Sequence, residues 1–221
     1  MRIIALVFLI IVLSGCGHGL MQSAKTVKKG EVKVTIGQMV ISNEARESQV
    51  IVSTPSELDL RFGLHKQVDG GVKLFFLKGA LADAKVNFLP DEWNSALAFS
   101  AGFGYAIDPI DNTATIKHLP LKLIASHKLG AATPYAGFEY GFWWINGRKY
   151  SGEEEIEEGF EPVKKTWHGD IVLKYTGGLE FAINSNTSIF LEYTFFNPWI
   201  DDGSDNYVFV ENHIAGAGIR F

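Results

Sequence analysis

The stretch Ala96-Leu97-Ala98-Phe99-Ser100-Ala101-Gly102-Phe103-Gly104-Tyr105-Ala106-Ile107 sorts its residues by parity. Successive side chains of a β-strand point to opposite faces. One face therefore collects Leu97, Phe99, Ala101, Phe103, Tyr105 and Ile107, and the other Ala96, Ala98, Ser100, Gly102, Gly104 and Ala106. The same division recurs downstream. In 169–183, Ile171, Leu173, Tyr175, Leu179, Phe181 and Ile183 oppose Asp170, Lys174, Thr176, Gly178 and Glu180. In 134–145, Phe138, Tyr140, Phe142 and Trp144 oppose Gly137, Glu139 and Gly141. In 188–195, Ile189, Leu191, Tyr193 and Phe195 oppose Ser188, Glu192 and Thr194. A period of two over such lengths means strands.

Alternation alone does not separate a soluble fold from a membrane one, because a soluble sandwich alternates too. The contents of the two faces do. A soluble barrel that carries a lipid points its large apolar residues inward and its polar ones to water. Here the opposite face holds glycine, alanine and charge, which suits a crowded interior with lipid outside. The expected fold is all-β: a closed antiparallel transmembrane β-barrel.

Ten strands are expected, at about 31–41, 50–64, 71–78, 80–89, 95–107, 115–127, 133–146, 168–184, 187–197 and 207–221. Most reach the length that a tilted strand needs to cross a bilayer. The links Lys66–Gly70, Pro90–Asn94, Lys128–Ala132 and Asn184–Asn186 are short. Ser42–Gln49, Asp108–Ala114, Gly147–Trp167 and Pro198–Asn206 are longer, with the Lys78–Gly79 turn an exception. Bacterial barrels have short periplasmic turns and longer outer loops, which places both chain ends in the periplasm. Pro55 and Pro120 fall inside strands, where a missing N–H calls for a bulge. The alternative is eight strands, with residues 31–53 outside the wall.

Composition narrows the function. The 221 residues carry a net charge of −5 without a basic block, which argues against a nucleic-acid partner. A single cysteine excludes a disulfide scaffold and a cysteine-ligated zinc site. That cysteine follows Arg2, an uninterrupted apolar run Ile3–Leu13 and then Ser14-Gly15. Eleven apolar residues are too few to span a bilayer and suit a signal-peptide core.

Leu13-Ser14-Gly15-Cys16 resembles the lipobox of bacterial lipoproteins, in which the cysteine receives a diacylglyceryl group and cleavage falls just before it. The resemblance implies a signal peptide at 1–15, lipidation of Cys16 and a lipid-anchored tether at 16–30 ahead of a barrel domain at 31–221. Asp after the cysteine would imply inner-membrane retention; Gly17 stands there, implying the outer membrane.

The C-terminus ends on Phe221, preceded by Ile219, Ala217 and Ala215 at alternate positions. This resembles the assembly signal of outer-membrane β-barrel proteins. His213 and Glu211 depart from it, and a bulge near 213 or a place near the headgroups would reconcile them. The resemblance implies location and partners: outer-membrane lipid and lipopolysaccharide, and the barrel-assembly and lipoprotein-sorting machineries, with the barrel a monomer. Aromatic girdles are expected from Trp143, Trp144, Trp167, Trp199 and Tyr207 at the outer ends, and Phe88, Trp93, Phe181 and Phe221 at the other.

Parity also yields an interior charge list. The acids are Glu57, Asp59, Asp83, Glu139, Asp170, Glu180 and Glu192; the bases are Lys33, Arg61, Lys73, Lys85, Lys122, Lys174 and Arg220. Unpaired charges in a narrow lumen are costly, so an ion-paired, plugged interior is expected rather than a wide pore. A narrow solute or ion path lined by the same charges is the alternative.

Chemistry is thin. His168-Gly169-Asp170 is expected at the outer end of a strand and Asp201-Asp202 in a neighbouring loop; omptin-class outer-membrane proteases use Asp and His at outer strand ends. This chain is much shorter and lacks the long strand extensions, so those roles are not carried over. Ser151 with His168 is similar only loosely to a lipid A deacylase pair. The acidic run Glu153, Glu154, Glu155, Glu157 and Glu158 lacks the spaced ligands and turn glycine of a calcium loop. His18, His65, His118 and His127 have no metal-site spacing. No catalytic, cofactor-binding or metal-binding residue is assigned, and no cofactor is expected. The expected role is structural or in surface interaction, with a barrel enzyme or a channel as alternatives.

Overall fold

The computed structural model describes residues 21–45, 48–75, 79–107, 115–147, 166–201, 207–209 and 212–221. The lipobox with Cys16, Ser151, Glu211 and the acidic run lie outside them. The strands are β1 Val32–Ala45, β2 Ser48–His65, β3 Val68–Phe75, β4 Gly79–Asn87, β5 Ser95–Ile107 and β6 Thr115–His127. They continue as β7 Ala132–Gly147, β8 Thr166–Ala182, β9 Ser188–Asp201, β10 Tyr207–Phe209 and β11 Asn212–Arg220. β1 to β9 pair antiparallel in chain order, and β11, beside β9, returns to pair with β1, closing the sheet. β10 and β11 both lie along β9 and are two pieces of one wall strand, so the barrel has ten strands. The eight-strand alternative fails because β1 and β2, spanning residues 31–53, pair within the wall.

The faces are inverted as the parity requires. Along β5, Phe103 and Tyr105 are 52% and 46% exposed, whereas Ala98 and Ser100 are fully buried. Val40, Phe62, Leu123, Tyr175, Leu191 and Tyr193 continue the apolar exterior, while Arg61, Lys73, Lys85 and Lys174 are buried. A soluble protein does the reverse. Closure also leaves no open sheet edge for a bilayer to contend with.

The prolines divide. At Pro55 the register slips: Gln38 pairs with Ser56 and Val40 with Ser53, so two residues of β2 oppose Met39 alone. That is the expected bulge. At Pro120 no slip occurs. The β5–β6 pairing is interrupted between Ala101–Leu121 and Gly104–His118, then resumes in register, while Pro120 stays opposite Gly141 on β7. The missing N–H is absorbed on one side of the strand, without an inserted residue. No bulge occurs at His213 either. It stays in register with Phe195 and Ser42, and its Nδ1 is hydrogen-bonded to the Tyr193 hydroxyl at 2.5 Å.

The expected Ser42–Gln49 loop is largely taken up by strand, since β1 runs on to Ala45 and β2 begins at Ser48. Both ends of the barrel domain lie on the turn side: Val34 N–H donates to the Phe221 carbonyl at 3.1 Å, and Phe221 N–H to that of Val34 at 2.8 Å.

The largest departure concerns the tether. Residues 21–27, within the expected 16–30 tether, lie inside the barrel rather than in solvent; Met21, Gln22 and Ala24 are almost wholly buried. The reversal that sends this strap into the lumen needs two glycines. Gly30 has φ +81°, a left-handed conformation that few side chains tolerate. Gly63 hydrogen-bonds across to Gly30 and Glu31, and a Cβ there would come within 1.9 Å of the Lys28 carbonyl oxygen.

Candidate functional site

The lumen is the one place where the described residues gather buried chemistry, and three ion-pair groups fill it. The first lies toward the turn side. Arg61, on β2, reaches Asp69 of β3 through Nε at 3.0 Å and Nη2 at 2.5 Å, and Asp83 of β4 through Nη1 at 2.9 Å. Lys85 stands 3.4 Å from the second oxygen of Asp69. Ser100 donates to the remaining oxygen of Asp83 at 3.1 Å. The planar guanidinium spans two carboxylates on adjacent strands, which an ammonium on a single point cannot do.

The second group pairs Lys73 with Glu57 at 3.0 Å across β2 and β3. Asp59 lies opposite Lys73 in the register and two residues before Arg61 on the same face. Its carboxylate faces both cations without a direct hydrogen bond. The third group surrounds Glu139 of β7. Lys174 approaches it at 3.2 Å, His118 Nε2 at 3.0 Å and Lys122 at 3.7 Å, from β8 and β6. Trp143 caps this group, with Lys174 Nζ 5.1 Å from its ring centroid and His118 packed edge-on. Trp143 therefore faces the interior and does not belong to the outer girdle. Trp144, one residue on, is exposed, as are Phe88, Trp93, Phe181 and Phe221.

The strap threads between these groups and is gripped by its backbone. Met21 N–H donates to Glu192 at 2.6 Å, Ala24 N–H to Ser126 at 3.2 Å and Val27 N–H to Asp69 at 2.9 Å. Lys85 donates to the carbonyls of Ser23 and Lys25 at 3.0 and 2.9 Å, and Arg220 to that of Met21 at 2.9 Å. Buried backbone groups must be satisfied, and here interior charges do it. Met21 fills a notch on β1 and β11: a Cβ on Gly37 would lie 2.2 Å from its sulfur, and one on Gly218 2.9 Å. Met39, Ile214 and Phe196 pack around it. A second apolar cluster joins Ala24 to Ala96, Ala98, Ile124, Tyr135 and Phe190. The lumen is thus a packed interior of alternating ionic and apolar patches.

Most expected interior charges are in place. Arg220 and Glu180 meet at 3.6 Å, and Glu192 accepts from the Tyr135 hydroxyl at 2.8 Å. Asp69 and His118, which are not among the interior charges that parity predicts, are central. The side chains of Asp170, His168, Trp167, Trp199, Tyr207 and Asp201 lie outside the described residues, as does Asp202. Ala217, Ile219 and Phe221 all sit on the exposed face of the last strand, with Phe221 53% exposed. Among the described residues no group of three or more His, Cys, Asp or Glu is placed to hold a metal.

No protein-family model matches the chain, and no curated protein does. Similar solved structures include the outer membrane protease OmpT from Escherichia coli, at 9% identity and a TM-score of 0.47, covering 86% of this chain and 96% of that one. Neisserial surface protein A gives 10% identity and a TM-score of 0.43, over 86% and 95% of the two chains. The Ail protein of Yersinia pestis gives 16% and 0.39, over 87% and 99%.

Proposed function

We propose that this chain is a lipid-anchored outer-membrane β-barrel whose closed lumen fits it for a structural or surface-interaction role rather than for passing solutes. The observation that carries this reading is the occupancy of the lumen by ion pairs and by residues 21–27. A conducting path needs water-lined continuity. Here the charges spend themselves on one another and on the strap. The apolar exterior matches the demand of a bilayer, and Cys16 supplies the anchor through two acyl chains. Ala217, Ile219 and Phe221, exposed in register on the last strand, fit recognition by barrel-assembly machinery. The remaining partners are outer-membrane lipid, lipopolysaccharide and the lipoprotein-sorting machinery, and the barrel acts as a monomer.

Expression of the full chain in a Gram-negative host with labelled palmitate, followed by fractionation and gel migration with and without boiling, tests this. Wild type is expected to take up label, fractionate with the outer membrane and migrate faster unboiled. Cys16→Ser is expected to lose the label and keep the migration shift. A Cys16→Ser protein found freely soluble would overturn the barrel reading. Undiminished label in it would overturn the anchor.

A further inference from the structure

The turn-side mouth of the barrel holds a cavity of about 230 Å³ that the lumen network does not fill. Strap and wall build it together. Lys25 comes from the strap, Lys33 from β1, Lys128 from the β6–β7 turn and Arg220 from β11, with Glu180 of β8 the sole acid among the lining residues. Four cations against one carboxylate give the mouth a local charge of +3, in a chain whose net charge is −5. This is the reverse of what chance placement on an acidic protein would give.

The lysines of this mouth are also available. Lys33 and Lys128 meet no carboxylate among the described residues, and the Lys25 ammonium donates to the Asp91 carbonyl at 3.3 Å. Arg220 is held in place by Thr35 at 3.0 Å and the Met21 carbonyl at 2.9 Å, and its approach to Glu180 is a loose 3.6 Å. Thr133, Ser185, Asn186 and Ser188 add hydroxyl and amide groups to the lining. Lysines bind phosphate as point charges, and a phosphate has enough oxygens to use several such donors together.

We propose that this mouth is a binding site for a compact phosphate-bearing anion, free in solution on the turn side or carried on a lipid headgroup. Because the cavity opens inside the ring of turns, a soluble ligand reaches it directly. A headgroup must reach over the β8–β9 turn at Ser185 and Asn186. Lys25, on the strap, makes binding there a clamp on residues 21–27 as well.

The test is titration calorimetry on the full chain in uncharged detergent, with inorganic phosphate in one arm and phosphatidylglycerol mixed micelles in the other. Chloride at matched ionic strength is the control. Saturable binding of either phosphate species above chloride is expected, and the arm that responds identifies the source. Lys33→Gln/Lys128→Gln is expected to weaken binding about tenfold or more, as two charge-assisted contacts are lost. Glu180→Gln is expected to strengthen it severalfold, a gain that misfolding cannot produce. Binding no tighter than chloride in both arms would overturn the proposal, as would affinities that do not change in the two variants.

Discussion

Deleting residues 21–27 is expected to turn a silent barrel into a conducting one. Wild type reconstituted in planar bilayers should show no stable steps; the deletion should show discrete openings well below those of a porin, because ten strands enclose little space. The strap is wholly interior over Met21, Gln22 and Ala24, so its removal leaves a void lined by groups it now satisfies. Glu192, Ser126, Asp69, Lys85 and Arg220 each lose a strap contact and must turn to water. A polar cavity of that kind fills with water rather than staying empty. Retention of the unboiled gel shift shows that the wall has survived. A folded deletion variant that stays silent would mean that side chains alone seal the lumen.

Arg61→Leu is expected to be the most damaging single substitution described. It removes the cation that Asp69 and Asp83 share, leaving Asp69 the Lys85 ammonium at 3.4 Å and Asp83 the Ser100 hydroxyl. Removing one member of a buried, hydrogen-bonded pair costs about 3–5 kcal/mol, because the remaining charge is left uncompensated. Urea unfolding in detergent, followed by tryptophan fluorescence, should show the midpoint fall accordingly. Arg61→Lys should rescue only part, since one ammonium cannot bridge both carboxylates. Arg61→Leu with Asp69→Asn and Asp83→Asn should recover more than Arg61→Leu alone, because the stranded charges go too. An Arg61→Leu midpoint within error of wild type would show that the pairs contribute nothing to the fold.

The wall was legible because burial on one face is written into every second residue. Phe103 beside Gly104 announces its side of the barrel without any knowledge of neighbours. The charge list followed from the same parity, and its omissions have a physical cause. Asp69 reads as a turn residue, between Lys66 and Gly70, yet β3 begins at Val68 and carries it onto the inner face. Trp143 reads as a girdle residue from its place at an outer strand end, although parity alone sends it and Trp144 to opposite faces. The strap was invisible for a deeper reason. Its hold on the barrel runs through its own N–H and C=O groups, which every non-proline residue carries, so the polar composition of 17–30 reads as a tether. Only Met21 left a trace, in the glycines at 37, 216 and 218 that make room for it.

Which face of the wall meets lipid is measured directly by nitroxide scanning of β5. In a Cys16→Ser background, labels placed singly at Leu97, Phe99, Phe103 and Tyr105, and at Ala96 and Ser100, are read in phospholipid bilayers by collision with oxygen and with a water-soluble nickel chelate. The first four positions should be oxygen-accessible and shielded from nickel, and the last two shielded from both. The inverse pattern, or nickel reaching Phe99 and Phe103, would contradict an inside-out barrel.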